Sequence, residues 1–148
     1  MANRVYIREG KNAIPAKPVK SPTAAYVLYY HITFRTKWSR ETFAGDETAE
    51  RLASILMDIC SEKGFDLFGV AVMPDHVHVV VSLPPTVAPA TAVKYLKGIS
   101  SRLYHKGTGE AGSLWSDGYS ATAVGTKNIW QTLSYLASQD VHHGLIPG

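Results

Sequence analysis

An α+β fold of ferredoxin type, with an RRM-like antiparallel sheet and helices on one face, is predicted by the 148 residues. Three observations carry that prediction. Segments of strand and helix character follow one another as strand, helix, strand, strand, helix, strand, helix, an order that repeats a β-α-β half. Phe65 to Val72 and His76 to Leu83 are joined only by Met73-Pro74-Asp75, a turn too short for a crossover, so the two strands pair antiparallel. The two long helical patterns each carry a single apolar stripe, which suits packing on a sheet.

Taken in order, residues 1–22 hold prolines at 15, 18 and 22 among Arg4, Arg8, Lys11, Lys17 and Lys20, without an apolar period. They read as a flexible basic arm, with a short extended piece around Val5 to Ile7. Residues 23–148 read as the folded domain. The run Tyr26 to Phe34 is aromatic and β-branched, and is expected to be a central strand buried on both faces. His31 within it is expected to be a core histidine satisfied by a neighbour. Asp46 is the expected N-cap of a helix whose stripe is Leu52, Ile55, Leu56, Ile59 and Cys60, and Gly64 ends it.

After the strand pair, Pro84-Pro85 stops the chain's extended run. Pro89 to Lys106 is the second helix, with Val93, Leu96, Ile99 or Ser100, and Leu103 turned inward and Lys94 and Lys97 on another face. Gly107 to Gly112 is a loop, Asp117-Gly118 a turn, and Tyr119 to Val124 a short strand. Thr126 or Asn128 caps a last helix running through Asp140, on which Tyr135 and Gln139 share a face.

Composition removes several function classes. Cys60 is the single cysteine, which excludes an internal disulfide and a CxxC zinc site, and its place on a helix stripe suits an inert buried thiol. No HExxH or HxE pattern supports a zinc hydrolase or a deaminase. No apolar run spans a bilayer and no secretory leader opens the chain, so a soluble cytoplasmic protein without a membrane partner is expected. Fifteen Lys and Arg against twelve Asp and Glu give a net charge of +3. The bases cluster, and Arg35, Lys37, Lys94, Lys97 and Arg102 are candidate nucleic-acid contacts.

The chemistry is expected at Pro74-Asp75-His76-Val77-His78. On a strand, His76 and His78 project from one face and Val77 and Val79 from the other, so two imidazoles address one point. That is the spacing a metal needs from a strand. Asp75 lies in the opposite phase and is expected to shape the turn.

Pro74 to His78, Val93-Lys94-Tyr95-Leu96-Lys97-Gly98, Leu114-Trp115-Ser116 and Tyr135-Leu136-Ala137-Ser138-Gln139 together resemble the single-tyrosine HUH transposases of small bacterial and archaeal insertion sequences. The resemblance covers about Ala25 to Asp140 and leaves the arm outside. It implies that His76, His78 and Gln139 hold a divalent metal, Mg2+ or Mn2+, and that Tyr135 on the C-terminal catalytic helix is the nucleophile. It further implies cutting and rejoining of single-stranded DNA at hairpin-bearing element ends through a 5′-phosphotyrosine, by a homodimer whose active sites join residues of two chains in trans. Gly125 is then the expected hinge for exchange of the last helix. A domesticated relative that processes palindromic repeats, or a noncatalytic DNA-binding module on the same fold, are the alternatives.

The residues agree with that chemistry. A cation bound to a phosphate oxygen neutralises charge and polarises phosphorus. A phenol, whose ordinary pKa is about 10, loses its proton more readily beside a cation. Covalent attachment conserves the phosphodiester's energy for rejoining.

Overall fold

The structure is a computed structural model and describes residues 4–8, 19–20, 25–26, 28–106, 108, 112–125, 128–138 and 142–146. The valine run builds its centre. In β6 (His76–Ser82), Val77, Val79 and Val81 turn to one face and are fully buried, while His76, His78 and Val80 turn to the other. β6 lies between β4 (Tyr29–Arg35) and β5 (Asp66–Val72), antiparallel to both, with Thr33 and Ala71 opposite His78 on either side. β7 (Ser120–Val124) flanks β4, β1 (Arg4–Ile7) flanks β5, and β8 (His142–Leu145) runs parallel to β1 at the far edge. The order is therefore β7-β4-β6-β5-β1-β8. Strands β7 through β1 are antiparallel, and β7, β4, β6 and β5 have the ferredoxin arrangement that the element order predicts, with β1 added beside β5.

Two expectations are corrected at the N-terminal side. Arg4–Ile7 does not belong to a flexible arm, because it is a full strand with Val5 completely buried. Arg4 lies 3.7 Å from Asp46 and Arg8 2.6 Å from Asp66, so flanking charges also fix it. The short extended piece expected around Val5 to Ile7 is this strand, and four residues are too few to display the period that would mark it as part of the sheet. The strand expected over Tyr26 to Phe34 is divided: β3 (Ala25–Tyr26) pairs with β2 (Val19–Lys20) in a separate hairpin, and the main sheet begins at Tyr29. Tyr29 pairs with Ser82, the Leu83 amide donates to the Leu28 carbonyl, and Pro84-Pro85 then offer no N–H to continue.

One face of the sheet carries α1 (Asp46–Lys63) and α2 (Pro89–His105), which close a core of Ile32, Phe34, Leu52, Leu56, Val79 and Leu96. Gly64 ends α1 in the left-handed conformation (φ 74°), as its position in the sequence predicts. The N-cap is Gly45, one residue before the expected Asp46, so Asp46 and Glu47 fall in the first turn, where the helix dipole favours them. Pro89 starts α2, where a missing N–H costs nothing. Inside α2, the buried Ser100 hydroxyl accepts a 2.9 Å bond from the Trp115 indole N–H.

α3 (Ile129–Ser138) packs on the opposite face. Ile129, Leu133 and Leu136 form a second apolar layer with Val5, Tyr29, Phe68, Ala71 and Val80. A register irregularity between Leu67 and Gly69 lets Phe68 join this layer beside Gly69. A Cβ at Gly69 would stand 2.9 Å from Leu133 Cδ2 and 3.4 Å from Leu136 Cδ2, so the glycine sets how closely α3 approaches. Gly69→Val is expected to lift α3 and destabilise the protein by about 1–3 kcal/mol in urea unfolding, whereas Gly98→Ala, with open space at its Cβ, leaves the midpoint unchanged or raised.

Among the described residues, α3 covers half of that face. β4 is thus buried on both sides only at Tyr29. Farther along, Ile32 and Phe34 remain in the α1/α2 core while His31 and Thr33 are half-buried and Arg35 is exposed, contrary to the expectation for a fully buried strand. No helix among the described residues is long and apolar enough to cross a membrane.

Candidate functional site

The uncovered half of the α3 face is polar. Across β4 and β6 the register sets Arg35 beside His76, Thr33 beside His78 and His31 beside Val80. The rings of His76 and His78 are 5.0 Å apart between centroids, and His31 lies 5.1 Å from His78. The strand therefore brings the two predicted histidines together as its alternation requires.

Each ring has one nitrogen held. His76 Nδ1 is 2.7 Å from Asp75 Oδ1, to which it donates. His78 Nδ1 lies 2.9 Å from His31 Nε2 and 3.2 Å from Thr33 Oγ1. When His78 donates from Nδ1 to either neighbour, its Nε2 keeps its lone pair, which is the state a metal-binding imidazole needs, and the Asp75 contact leaves Nε2 as the nitrogen of His76 that faces away from a partner. The Met73-Pro74-Asp75 turn that carries Asp75 is itself fixed: Thr36 and Phe43 amides donate to the Asp75 and Pro74 carbonyls, and the Met73 amide to the His76 carbonyl at 2.8 Å.

Electrostatics favour neutral imidazole at His78 and His31. Burial, reinforced by His31, His76 and Arg35, pushes the His78 pKa down to about 4. Burial also lowers that of His31. The Asp75 carboxyl is held below its ordinary value chiefly by the His76 hydrogen bond, with help from the charges of His76 and Arg35 against a burial penalty. A histidine whose folded pKa is depressed binds more protons when unfolded. His78 hence contributes stability that is complete above about pH 6.5 and declines as pH falls toward 4. Chelator-treated protein is expected to lose a few kcal/mol of unfolding free energy over that window, and His78→Gln is expected to flatten the decline; an equal slope in the variant would contradict the assignment.

Tyr135 sits on α3, on the same face of the sheet as the histidines, but two positions from Leu133 and one before Leu136 it turns outward and is 55% exposed. Among the described residues no hydrogen bond or ring contact joins it to His76 or His78. Trp130, 58% exposed, shares the outer side of α3. Gln139 lies outside the described residues, so its predicted approach to the histidines does too. Among the described residues no group of three or more His, Cys, Asp or Glu is arranged to hold a metal. A set completed by an amide or by another chain is compatible with this.

The predicted basic contacts separate into different roles. Arg35 stands at the mouth of the polar half, 3.5 Å from Asp75 Oδ2 with its side chain 59% exposed. Lys37 lies over the Trp38 ring. Lys94 and Arg102 are exposed on α2, and Arg102 borders an 870 Å3 cleft between α2 and residues 112–117. Lys97 is committed elsewhere: its ammonium donates to the Ser116 carbonyl at 2.7 Å and the Gly118 carbonyl at 3.0 Å, and burial lowers its pKa against the pull of Asp117. It positions a loop.

Four contributors escaped the strand-phase argument. Asp75, set aside as a turn residue, reaches the ring of the next residue; His31 and Thr33 reach His78 across a strand boundary that only the register defines. Trp38 is 75% exposed and held at φ 62°, followed by Ser39 at φ 50°. Two successive non-glycine residues in the left-handed region are strained, and such strain concentrates at functional positions. Cys60 is buried with its thiol pushed up to about 12, in keeping with an inert role.

Known proteins share this architecture and sequence. Residues 24–139 match the family model described as "Transposase IS200 like". The ISDra2 transposase TnpA of Deinococcus radiodurans is 34% identical over 134 residues, covering 85% of this chain and 94% of that protein. The transposase for insertion sequence element IS200 of Salmonella typhimurium is 30% identical over 116 residues, 74% of this chain and 75% of the relative. A solved transposase structure from Deinococcus radiodurans superposes with TM-score 0.65 at 31% identity, covering 83% of this chain and 98% of that one. A REP-associated tyrosine transposase bound to a REP hairpin shares the fold, with TM-score 0.59 at 15% identity over 81% of this chain and 72% of that one.

Proposed function

This chain belongs to the IS200-like transposase family and is a DNA-cleaving transposase, and from that premise we propose that it cuts and rejoins single-stranded DNA through Tyr135, at a cation held by His76, His78 and Gln139. The observation that carries the proposal is the histidine pair on the open half of the sheet, each ring with Nδ1 engaged and Nε2 left for a metal. Two imidazole donors leave positions for an amide oxygen and a phosphate, so the donor set fits a divalent ion, and cellular supply favours Mg2+ or Mn2+. When bound, the cation supplies charge neutralisation at a nonbridging phosphate oxygen.

The chain's own residues do the rest. Arg35 binds the incoming phosphodiester backbone at the edge of the histidine pair. The Tyr135 phenolic oxygen attacks phosphorus; its bond to phosphorus forms as the bond to the 3′ oxygen breaks, and the departing 3′ oxygen takes up a proton. The 5′ phosphate stays on Tyr135 until a 3′ hydroxyl attacks and returns the phenol. Exposure of Tyr135 and Trp130 on the outer side of α3 supports a homodimer in which one subunit's helix serves its partner's histidines.

A labelled single strand carrying the element-end hairpin, incubated with protein and Mg2+ or Mn2+, is expected to migrate as a covalent adduct in a denaturing gel and to fail to do so with chelator. Attachment unaffected by chelator would contradict the metal role. Asp75→Ala is expected to weaken Mn2+ binding by about 10–100-fold in titration calorimetry while the fold is kept, because the His76 ring loses the acceptor that orients it.

A further inference from the structure

His31 touches the metal pair without belonging to it. The rings of His76, His78 and His31 follow one another along the open half of the sheet, 5.0 Å and then 5.1 Å apart between centroids. Strand pairing alone does not supply the second contact. The register sets His78 opposite Thr33 and His31 opposite Val80, so the two rings meet on the diagonal. With 2.9 Å between His78 Nδ1 and His31 Nε2 and 5.1 Å between centroids, they meet end to end and do not stack, as an N–H aimed at a lone pair requires. The two nitrogens of an imidazole point to opposite edges of the ring, so His31 lies on the far side of His78 from a cation at Nε2.

Two nitrogens at that distance hold one proton between them, and its position decides what His78 can bind. If His31 donates, the proton of neutral His78 sits on Nε2 and blocks that nitrogen to a cation. If His78 donates, Nε2 presents its lone pair. Thr33 Oγ1, at 3.2 Å, is the other candidate acceptor. It is the weaker one, because it is farther away and because a hydroxyl can turn and donate to Nδ1, which selects the blocked tautomer. An imidazole nitrogen that accepts has no proton to give back. The first ligand is served in the same manner: His76 gives its Nδ1 proton to Asp75 at 2.7 Å. One ring leans on a carboxylate and the other on an imidazole.

We propose that His31 is a positioning residue for the metal centre: it accepts the Nδ1 proton of His78 and so keeps His78 Nε2 open to the cation, as Asp75 does for His76. An uncharged acceptor orients the ligand without adding negative charge, which keeps the site attractive to phosphate. The inference rests on the reading of His76 and His78 as metal ligands and adds to it a second orienting partner, from the neighbouring strand.

The test titrates full-length protein with Mn2+ by calorimetry. His31→Leu, which keeps bulk and removes the acceptor, is expected to weaken binding about tenfold or more. His31→Gln, whose amide oxygen accepts, is expected to restore it to within about threefold of wild type, and Thr33→Val to stay within about twofold. A merely structural role for His31 lowers the urea midpoint without this pattern. The direct signature is nuclear magnetic resonance of Mg2+-loaded protein with isotope-labelled histidine: a proton on His78 Nδ1 and a nitrogen–nitrogen coupling across the hydrogen bond to His31 Nε2. A proton on His31 Nε2 in that spectrum, Mn2+ affinity equal to wild type in His31→Leu, or a loss in Thr33→Val as large as in His31→Leu would overturn the role and leave the metal reading standing. Should His31→Leu fail to fold, the position of the proton and Thr33→Val decide: a proton on His31 Nε2, or a tenfold loss in Thr33→Val, overturns the role. Wild-type protein that binds no Mn2+ would overturn the metal centre and the role of His31 with it.

Discussion

Tyr135→Phe is expected to abolish covalent attachment of a single strand, with a loss of roughly 10³-fold or more, while hairpin binding stays within about twofold of wild type. The expectation follows from how α3 is held. Leu133 and Leu136 anchor the helix on Gly69 and the second apolar layer, and Tyr135 projects outward at 55% exposure, so removing its hydroxyl disturbs no packing. A thermal midpoint equal to wild type would accompany the loss. Ser134 and Ser138 are the other hydroxyls exposed on α3 and are the natural controls; Ser134→Ala is expected to attach DNA normally.

The second large effect concerns the histidines. His76→Ala with His78→Ala is expected to weaken Mn2+ binding by more than about 100-fold and to bring cleavage to background, because no other described side chain replaces two imidazoles. The single variants are informative in different ways. His76→Ala frees Asp75, which keeps its neighbour Arg35 at 3.5 Å, so the fold is expected to persist. His78→Ala removes the partner of His31, a half-buried ring whose pKa is already lowered by burial, and some destabilisation is expected with the loss of metal. His78→Gln retains a polar partner for His31 and separates the two effects. Calorimetric titration with Mn2+ reads the metal, and urea unfolding without metal reads the fold.

Much of this arrangement is legible in the residues themselves. Alternation of valine and histidine in β6 is a period-2 pattern with an apolar face and a polar one, and it places His76 and His78 together without knowledge of any neighbour. The α1 and α2 stripes and the Gly64 stop are local in the same sense. What was not legible depends on pairing between distant segments. That His31 meets His78, or that Arg35 meets His76, is a matter of register between strands more than forty residues apart, and no local period encodes it. The strand at Arg4–Ile7 exists because β5 offers an edge and α3 offers an apolar layer for Val5, neither of which can be read from four residues. Likewise, Lys97 on a basic stripe looks like a phosphate contact until the loop that it ties is in place.

The uncovered half of the α3 face follows from one such tertiary fact. Among the described residues, α3 leaves the Arg35–Thr33–His78–His76 end open, and openness is what a polymer substrate needs. The same sheet face thus holds the helix that carries Tyr135 at one end and the histidine pair at the other.

The most direct measurement is mass spectrometry of the peptide linked to DNA after reaction with a single strand bearing the element-end hairpin in Mg2+ or Mn2+, protease digestion and nuclease trimming. An adduct of a 5′-phosphorylated nucleotide on Tyr135, absent with chelator and absent from His76→Ala with His78→Ala, is the predicted result. A stable adduct on another residue, Tyr119 or Tyr95 among the exposed tyrosines, or cleavage in metal that leaves no protein-linked nucleotide, would contradict it.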